Sequence, residues 1–233
     1  MRPRREKLEM PALKNFLTKL RAGQKTTLVA LGDSITELTW HTRGHLNWVG
    51  LLQEALFETY GRNCCLVINA GRCGEKVQDS LKRVQQDVCR FSPDLVFISY
   101  GQNDAVGGQD YLPVFRRSLR ALIQQLRAST TAELILQTPN PVVEQTGREK
   151  KGTHNAIYAR EIVRLGRQQN CLVIDHYRHW KKIEKLSESL KENPNRLWLL
   201  MSDSVHPGPL GHLTFFRRLA PYFQVPAFFP WEQ

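Results

Sequence analysis

Near the C-terminal end of the chain a carboxylate stands three positions before a histidine, in Asp203-Ser204-Val205-His206-Pro207. At that spacing the carboxylate reaches Nδ1 of the imidazole within one turn, fixes the tautomer and leaves Nε2 free to take a proton. A base of this kind needs a nucleophile. The sequence offers one at the end of its first apolar run, in Gly32-Asp33-Ser34-Ile35-Thr36, where Gly32 permits a tight turn and leaves the Ser34 hydroxyl exposed. Taken alone, Gly-Asp-Ser reads more readily as a helix N-cap or a phosphate-binding turn, and Asp203 with His206 as a surface pair beside a Pro-Gly turn. Two further segments change that balance: Asn69-Ala70-Gly71-Arg72-Cys73-Gly74 and Gly101-Gln102-Asn103-Asp104. They add the Gly71 N–H and the Asn103 side-chain amide to the Ser34 N–H, three donors of the type that bind an oxyanion in acyl transfer. Nucleophile, base, orienter and oxyanion donors are then all present.

The elements that must position these residues follow from hydrophobic pattern. Short apolar runs at Thr27–Leu31, Cys65–Asn69, Leu95–Tyr100, Glu133–Thr138 and Leu172–Asp175 read as strands covered on both faces. Between them, residues 46–60, 76–91, 111–128, 153–169, 176–190 and 209–222 have helical period, so the alternation predicts a parallel sheet with crossover helices. In such a sheet ligands bind beyond the carboxyl ends of the strands, which is where the Gly-Asp-Ser, Gly71 and Asn103 segments fall. No internal repeat or linker divides the chain, and one domain over residues 1–233 is expected. Residues 1–25 read as a basic N-terminal extension with a small helix over Met10–Leu20, and residues 223–233 as an irregular aromatic tail.

The 33 Lys+Arg against 22 Asp+Glu give a net charge of +11, which raises nucleic acid or an anionic surface as a partner. The charge is scattered, however, and no helix-turn-helix, RNP or zinc motif is found, so no specific nucleic-acid partner is expected. The 5 cysteines are an odd number in no metal-ligand spacing, which fits reduced thiols and a cytoplasmic location. No signal peptide or membrane-spanning run is read, and membrane insertion is not expected.

In chain order, Gly32-Asp33-Ser34, Gly71 within Asn-x-Gly-x-x-Gly, Gly101-x-Asn103-Asp104 and Asp203-x-x-His206-Pro207 resemble the four sequence blocks of the SGNH, or GDSL-type, hydrolases. That resemblance implies a three-layer α/β/α, flavodoxin-like fold with about five parallel strands. It also implies ester hydrolysis through an acyl-enzyme on Ser34, with Asp203 and His206 completing the triad, Ser34, Gly71 and Asn103 forming the oxyanion hole, and no metal or organic cofactor. It argues against the larger α/β-hydrolase fold, since Thr36 stands where the nucleophile turn of that fold needs a second glycine. Cys73, where the family commonly has serine, and the neighbouring Glu75-Lys76 pair depart from the pattern and predict an unusual pocket wall there.

Other residues were weighed for a role. His41 and His45 are four apart, but no H-E-x-x-H pattern and the helix-breaking Gly44 argue against a metal site. Residues 37–45 read as a mobile loop flanking the serine, whose Trp40, Arg43 and His45, together with Arg72, either contact substrate or are simple surface residues. His176 and His179 read as solvated, Asp104 as a loop-orienting carboxylate, and Trp198 as a core aromatic rather than a pocket wall. The 37–45 loop and the 139–153 loop, with Asn140, Glu144, Arg148 and Lys150, offer polar groups and no apolar groove. A short-chain ester of a small polar alcohol, such as an O-acetylated sugar, is therefore expected. A lysophospholipase or thioesterase of the same family and a non-catalytic binding module are the alternatives. Oligomeric state is not legible.

Overall fold

The computed structural model describes residues 13–37, 39–143, 154–190 and 196–227. Five strands, β1 (Thr26–Gly32), β2 (Cys65–Gly71), β3 (Leu95–Ser99), β4 (Glu133–Gln137) and β5 (Leu172–Ile174), form one sheet in the order β2-β1-β3-β4-β5. All neighbouring strands pair parallel. The helices are α1 (Lys14–Arg21), α2 (Ser34–Glu37), α3 (Trp48–Tyr60), α4 (Val77–Ser80), α5 (Val84–Asp87), α6 (Leu112–Ser129), α7 (Asn155–Gln168), α8 (His176–Ser189), α9 (Leu197–Leu200) and α10 (Pro209–Phe223).

Side chains on a strand point alternately to the two faces, and the sequence uses both faces of this sheet. From β1 and β3, Leu28, Ala30, Leu95 and Phe97 enter one core, with Phe16, Trp48, Leu52, Phe215, Phe216 and Phe223. Their neighbours Val29, Leu31, Val96 and Ile98 enter the other, with Val84, Phe115, Leu119, Ile123, Tyr158 and Ile162. The three-layer arrangement expected from the near-continuous apolar strands is the one observed. Winding proceeds from β1 to β2 on one side and then returns past β1 to β3. The strand order thus reverses at β1, and Ser34 stands beyond its carboxyl end, the place where open sheets of this kind bind ligands; the residue itself is buried rather than exposed as expected, because α2 folds back on the strand ends.

Three expectations are corrected. The helical period over 76–91 is split into α4, α5 and a 3-10 turn, Cys89–Phe91. The break falls at Arg83, a buried guanidinium turned inward to the Ala70 carbonyl and the Glu75 and Asp87 carboxylates; the pattern of Val77, Val84 and Val88 could not register that polar anchor. His176 is fully buried, with Nε2 2.7 Å from Gln137 Oε1 and its ring stacked on Phe215. Burial holds it well below the usual histidine range; His179 beside it is half-buried and also lowered by burial. Of residues 37–45, expected as a loop, Glu37 closes α2 and Trp40–Thr42 form a 3-10 turn. Half of the residues expected in the basic extension and aromatic tail, 1–12 and 228–233, lie outside the described residues, as do Glu144, Arg148 and Lys150; α1 begins at Lys14.

Candidate active site

Ser34 is the first residue of α2, immediately beyond β1. Asp33 sets the turn: its Oδ1 accepts the Ile35 N–H at 3.0 Å and its carbonyl accepts the N–H groups of Thr36 and Glu37. Those bonds occupy the orphan donors of the first helical turn. Gly32 and Gly71 are glycines because backbone passes close to them. A Cβ on Gly32 would collide with Thr36 Oγ1 and the Ser99 carbonyl, and one on Gly71 with the backbone of Glu37. The second sequence block therefore needs its glycine to let α2 rest on the end of β2.

His206 comes from the loop between α9 and α10. An isolated antiparallel bridge, Met201 to Pro207, closes that loop, and the Ser202 N–H donates to the His206 carbonyl at 2.8 Å. Asp203 Oδ1 accepts the N–H groups of Val205 and His206, each at 2.7 Å. Asp203 Oδ2 lies 2.8 Å from His206 Nδ1, and His206 Nε2 lies 3.1 Å from Ser34 Oγ. An ionised carboxylate only accepts, so Nδ1 carries the ring proton and Nε2 is left as the acceptor facing the serine. Burial pushes the Asp203 carboxyl up, but the two backbone N–H groups and His206 outweigh it, and the group sits below the usual carboxylate range. The residues that sequence spacing proposed as nucleophile, base and orienter are thus within hydrogen-bond reach of one another.

Two of the groups expected as oxyanion donors are engaged by neighbouring residues. The Gly71 N–H donates to Asn69 Oδ1 at 3.0 Å, and Asn103 donates one amide hydrogen to the Glu75 carbonyl at 2.9 Å. Asp104 is buried and accepts the N–H groups of Val77 and Gly101, the loop-orienting role expected of it. Glu75, expected to disturb the pocket wall, is instead paired with Arg83 at 2.6 Å, while Cys73 is exposed.

Of the expected substrate contacts, Trp40, Arg43, His45 and Arg72 are exposed. Arg72 is tied to Asp87 at 2.9 Å. Asn140, expected on a polar loop surface, is fully buried and donates to the Pro141 and Val205 carbonyls, bracing the His206 loop from behind. Trp198 is half-buried against the core. Sequence reasoning missed His41, which it weighed only as a metal ligand. Its buried ring stacks on His206, with centroids 3.8 Å apart and planes 12° from parallel. The only signal available was its place in the segment following the serine.

His41, Asp203 and His206 bring ligand atoms within 4.8 Å of one another. Two rings stacked so nearly parallel keep their in-plane lone pairs parallel too, whereas a metal at about 2 Å from each nitrogen needs them to converge. As arranged, the two rings do not share an ion. A surface cavity of about 670 Å³ lies elsewhere, between α7 and α8, lined by Ala159, Val163, Tyr177 and several arginines, and contains none of the triad. The chemistry-bearing side chains decide the site.

Residues 30–213 match the GDSL-like Lipase/Acylhydrolase family. Among curated proteins, the chain is 32% identical over 130 residues to the uncharacterized lipoprotein YqeF of Bacillus subtilis, covering 52% of this chain and 51% of that protein. It is 26% identical over 149 residues to thioesterase 1/protease 1/lysophospholipase L1 of Escherichia coli, covering 64% of this chain and 67% of that one. The chain thus spans about half the length of the first relative and two thirds of the second. Solved structures with the same fold include Axe2, an acetylxylan esterase from Geobacillus stearothermophilus, with TM-score 0.68, 23% identity and coverage of 88% and 97%. Another is LAE5, an alpha/beta hydrolase enzyme from the metagenome of Lake Arreo, with TM-score 0.65, 23% identity and coverage of 85% and 95%.

Proposed function

The chain belongs to the GDSL-like lipase/acylhydrolase family, and from that premise we propose that it is an ester hydrolase that cleaves short acyl esters, above all acetyl esters of a hydroxyl-rich alcohol, through a serine acyl-enzyme. The observation that carries this reading is the relay Ser34 Oγ, His206 Nε2, His206 Nδ1, Asp203 Oδ2, with steps of 3.1 and 2.8 Å. In the proposed reaction His206 Nε2 takes the Ser34 proton as Oγ attacks the ester carbonyl, and Asp203 stabilises the imidazolium. The Ser34 and Gly71 N–H groups and the Asn103 amide bind the oxyanion; a full negative charge competes well with the neutral Asn69 and Glu75 acceptors that hold two of them. Collapse expels the alkoxide, which takes the proton from His206. Water, deprotonated by His206, then attacks the acyl-enzyme, and the acid leaves as Ser34 recovers its proton.

The acetyl preference draws support from the exposed Trp40, Arg43 and His45, polar or amphipathic groups following the serine in sequence, and from the acetylxylan esterase among the solved structures of this fold. A thioesterase or lysophospholipase activity is the second reading, supported by the E. coli relative. A cytoplasmic setting belongs to the same proposal, in keeping with five cysteines that form no disulfide. Hydrolysis of p-nitrophenyl acetate, butyrate and octanoate and of acetylated xylo-oligosaccharides separates the two readings, with Ser34→Ala as the blank. An apolar groove would raise kcat/KM by up to about fourfold per added methylene. The expected result is a fall from acetyl to octanoyl; a rise favours the lipid or thioester reading, and turnover by Ser34→Ala at the wild-type rate rejects the mechanism.

A further inference from the structure

His206 is held by its edge and also by its face. Ser34 and Asp203 take the edge, and His41 lies flat against the face at 3.8 Å. Neither His41 nitrogen has a hydrogen-bond partner among the described residues, so the ring is fixed by packing alone and what it offers His206 is a surface. The nearest polar approach, His41 Nδ1 to Asp203 Oδ2, is 3.8 Å, too long for a hydrogen bond.

The local fold is arranged to keep that surface in place. The Thr42 N–H donates to the Thr39 carbonyl at 2.9 Å, and the Thr42 hydroxyl contacts the carbonyls of Thr39 and His45. Arg43 enters the left-handed region at φ 52°, its N–H on the Trp40 carbonyl, and ends the turn. The Trp40 ring packs in turn on His41, with centroids 3.6 Å apart. Beyond the turn, Asn47 caps α3 with its Oδ1 and donates its amide to the Thr36 carbonyl at 2.8 Å, tying the end of the segment back to α2.

Two hydrogen bonds at its edge resist only weakly a swing of the imidazole about its Cβ–Cγ bond, and that swing carries Nε2 out of the line of proton transfer. We propose that His41 is a positioning residue for the base: its flat ring removes that freedom and keeps Nε2 of His206 aligned with Ser34 Oγ through the transfer. Burial and repulsion from His206 outweigh the attraction of Asp203 and lower the His41 pKa, which favours the neutral ring beside the imidazolium.

This inference rests on the serine-esterase reading above, and the experiment separates the two. His41→Phe keeps a flat ring without nitrogens; His41→Leu fills similar space without a flat face. With p-nitrophenyl acetate the leucine variant is expected to lose about tenfold or more in kcat, as a misaligned catalytic group does, with KM within about twofold, while phenylalanine retains kcat within about threefold. The rate of Ser34 labelling by a fluorophosphonate should follow the same order, and the downfield proton resonance of His206 Nδ1–H should stay sharp in His41→Phe and broaden in His41→Leu. Leucine with wild-type kcat, or phenylalanine as slow as leucine, overturns the proposal. Should leucine fail to fold by circular dichroism, His41→Met takes its place under the same criteria. A wild-type protein that neither hydrolyses the ester nor reacts with the fluorophosphonate defeats the esterase reading itself, whereas unchanged labelling in His41→Leu defeats only the role of His41.

Discussion

The serine and the histidine of the candidate site are held in opposite ways. Around Ser34 the supports are buried carboxyls, a buried guanidinium and long-range hydrogen bonds. Asp33 and Asp104 are both buried, and Arg83 binds Glu75, Asp87 and the Ala70 carbonyl, with Tyr100 donating to Glu75. Around His206 the supports are a loop closed on itself, two backbone N–H groups on one carboxylate oxygen, and a stacked ring. In the proposed mechanism the nucleophile needs only to stay where it is, and a rigid polar frame serves that. The proposed base must accept a proton from one side and later deliver it to another, and a locally built loop orients its ring for that.

Breaking the histidine side should have the larger effect on rate. Asp203→Asn keeps an oxygen for the Val205 and His206 N–H groups, so the loop survives, but an amide can donate to Nδ1 and trap the wrong tautomer. A loss on the order of 10⁴ in kcat is expected with unchanged far-UV circular dichroism. On the serine side, Asn103→Ala removes one oxyanion donor and its bond to the Glu75 carbonyl; steady-state kinetics should show about 10²- to 10³-fold lost from kcat and little change in KM. A change confined to KM would make Asn103 a ground-state contact instead.

The smallest expected effect on rate, and the one that sharpens the contrast, concerns the buried carboxyls. Burial pushes Asp33 up to about 7, and repulsion from Asp104 and Glu75 adds to it. The native state therefore keeps a proton that the unfolded chain releases near pH 4. The stability this contributes is full below the unfolded value and is lost as pH rises through about 7, with an upper bound of roughly 4 kcal/mol. Asp33→Asn can still accept the Ile35 N–H and cannot ionise. In urea unfolding at pH 5 and pH 8 the wild type should lose stability relative to the variant; parallel behaviour would show that Asp33 does not hold its proton.

What the sequence made legible follows the same division. The Asp203 to His206 pair is three residues apart, and its geometry is set by a single turn, so spacing alone foretold a contact that the structure places at 2.8 Å. The strands were legible because each is a short, mostly apolar run; β1 and β3 are covered on both faces, while the edge strand β2 leaves Leu66 exposed. The frame around Ser34 was not: the bond from Val77 N–H to Asp104 and that from Arg83 to the Ala70 carbonyl join residues on different elements, and no periodicity encodes them. His41 escaped for a related reason, since a ring stacked on a partner distant in the chain leaves no local trace. Asn140 was misplaced because polar residues after a strand usually face water; here the side chain is consumed inside by the backbone of another loop.

The contact between Ser34 Oγ and His206 Nε2 spans 172 positions of chain, and that separation bears on how the molecule assembles. Parallel pairing of β2, β1 and β3 can be complete while the segment carrying the base is still undocked, because loop-closure entropy makes the most distant contacts the costliest to form first. A chain at that stage has its hydroxyl, its glycines and its amide, yet no acceptor for the serine proton. Recovery of turnover during refolding therefore clocks the closing of this 172-position loop, whereas the return of far-UV ellipticity clocks the secondary structure.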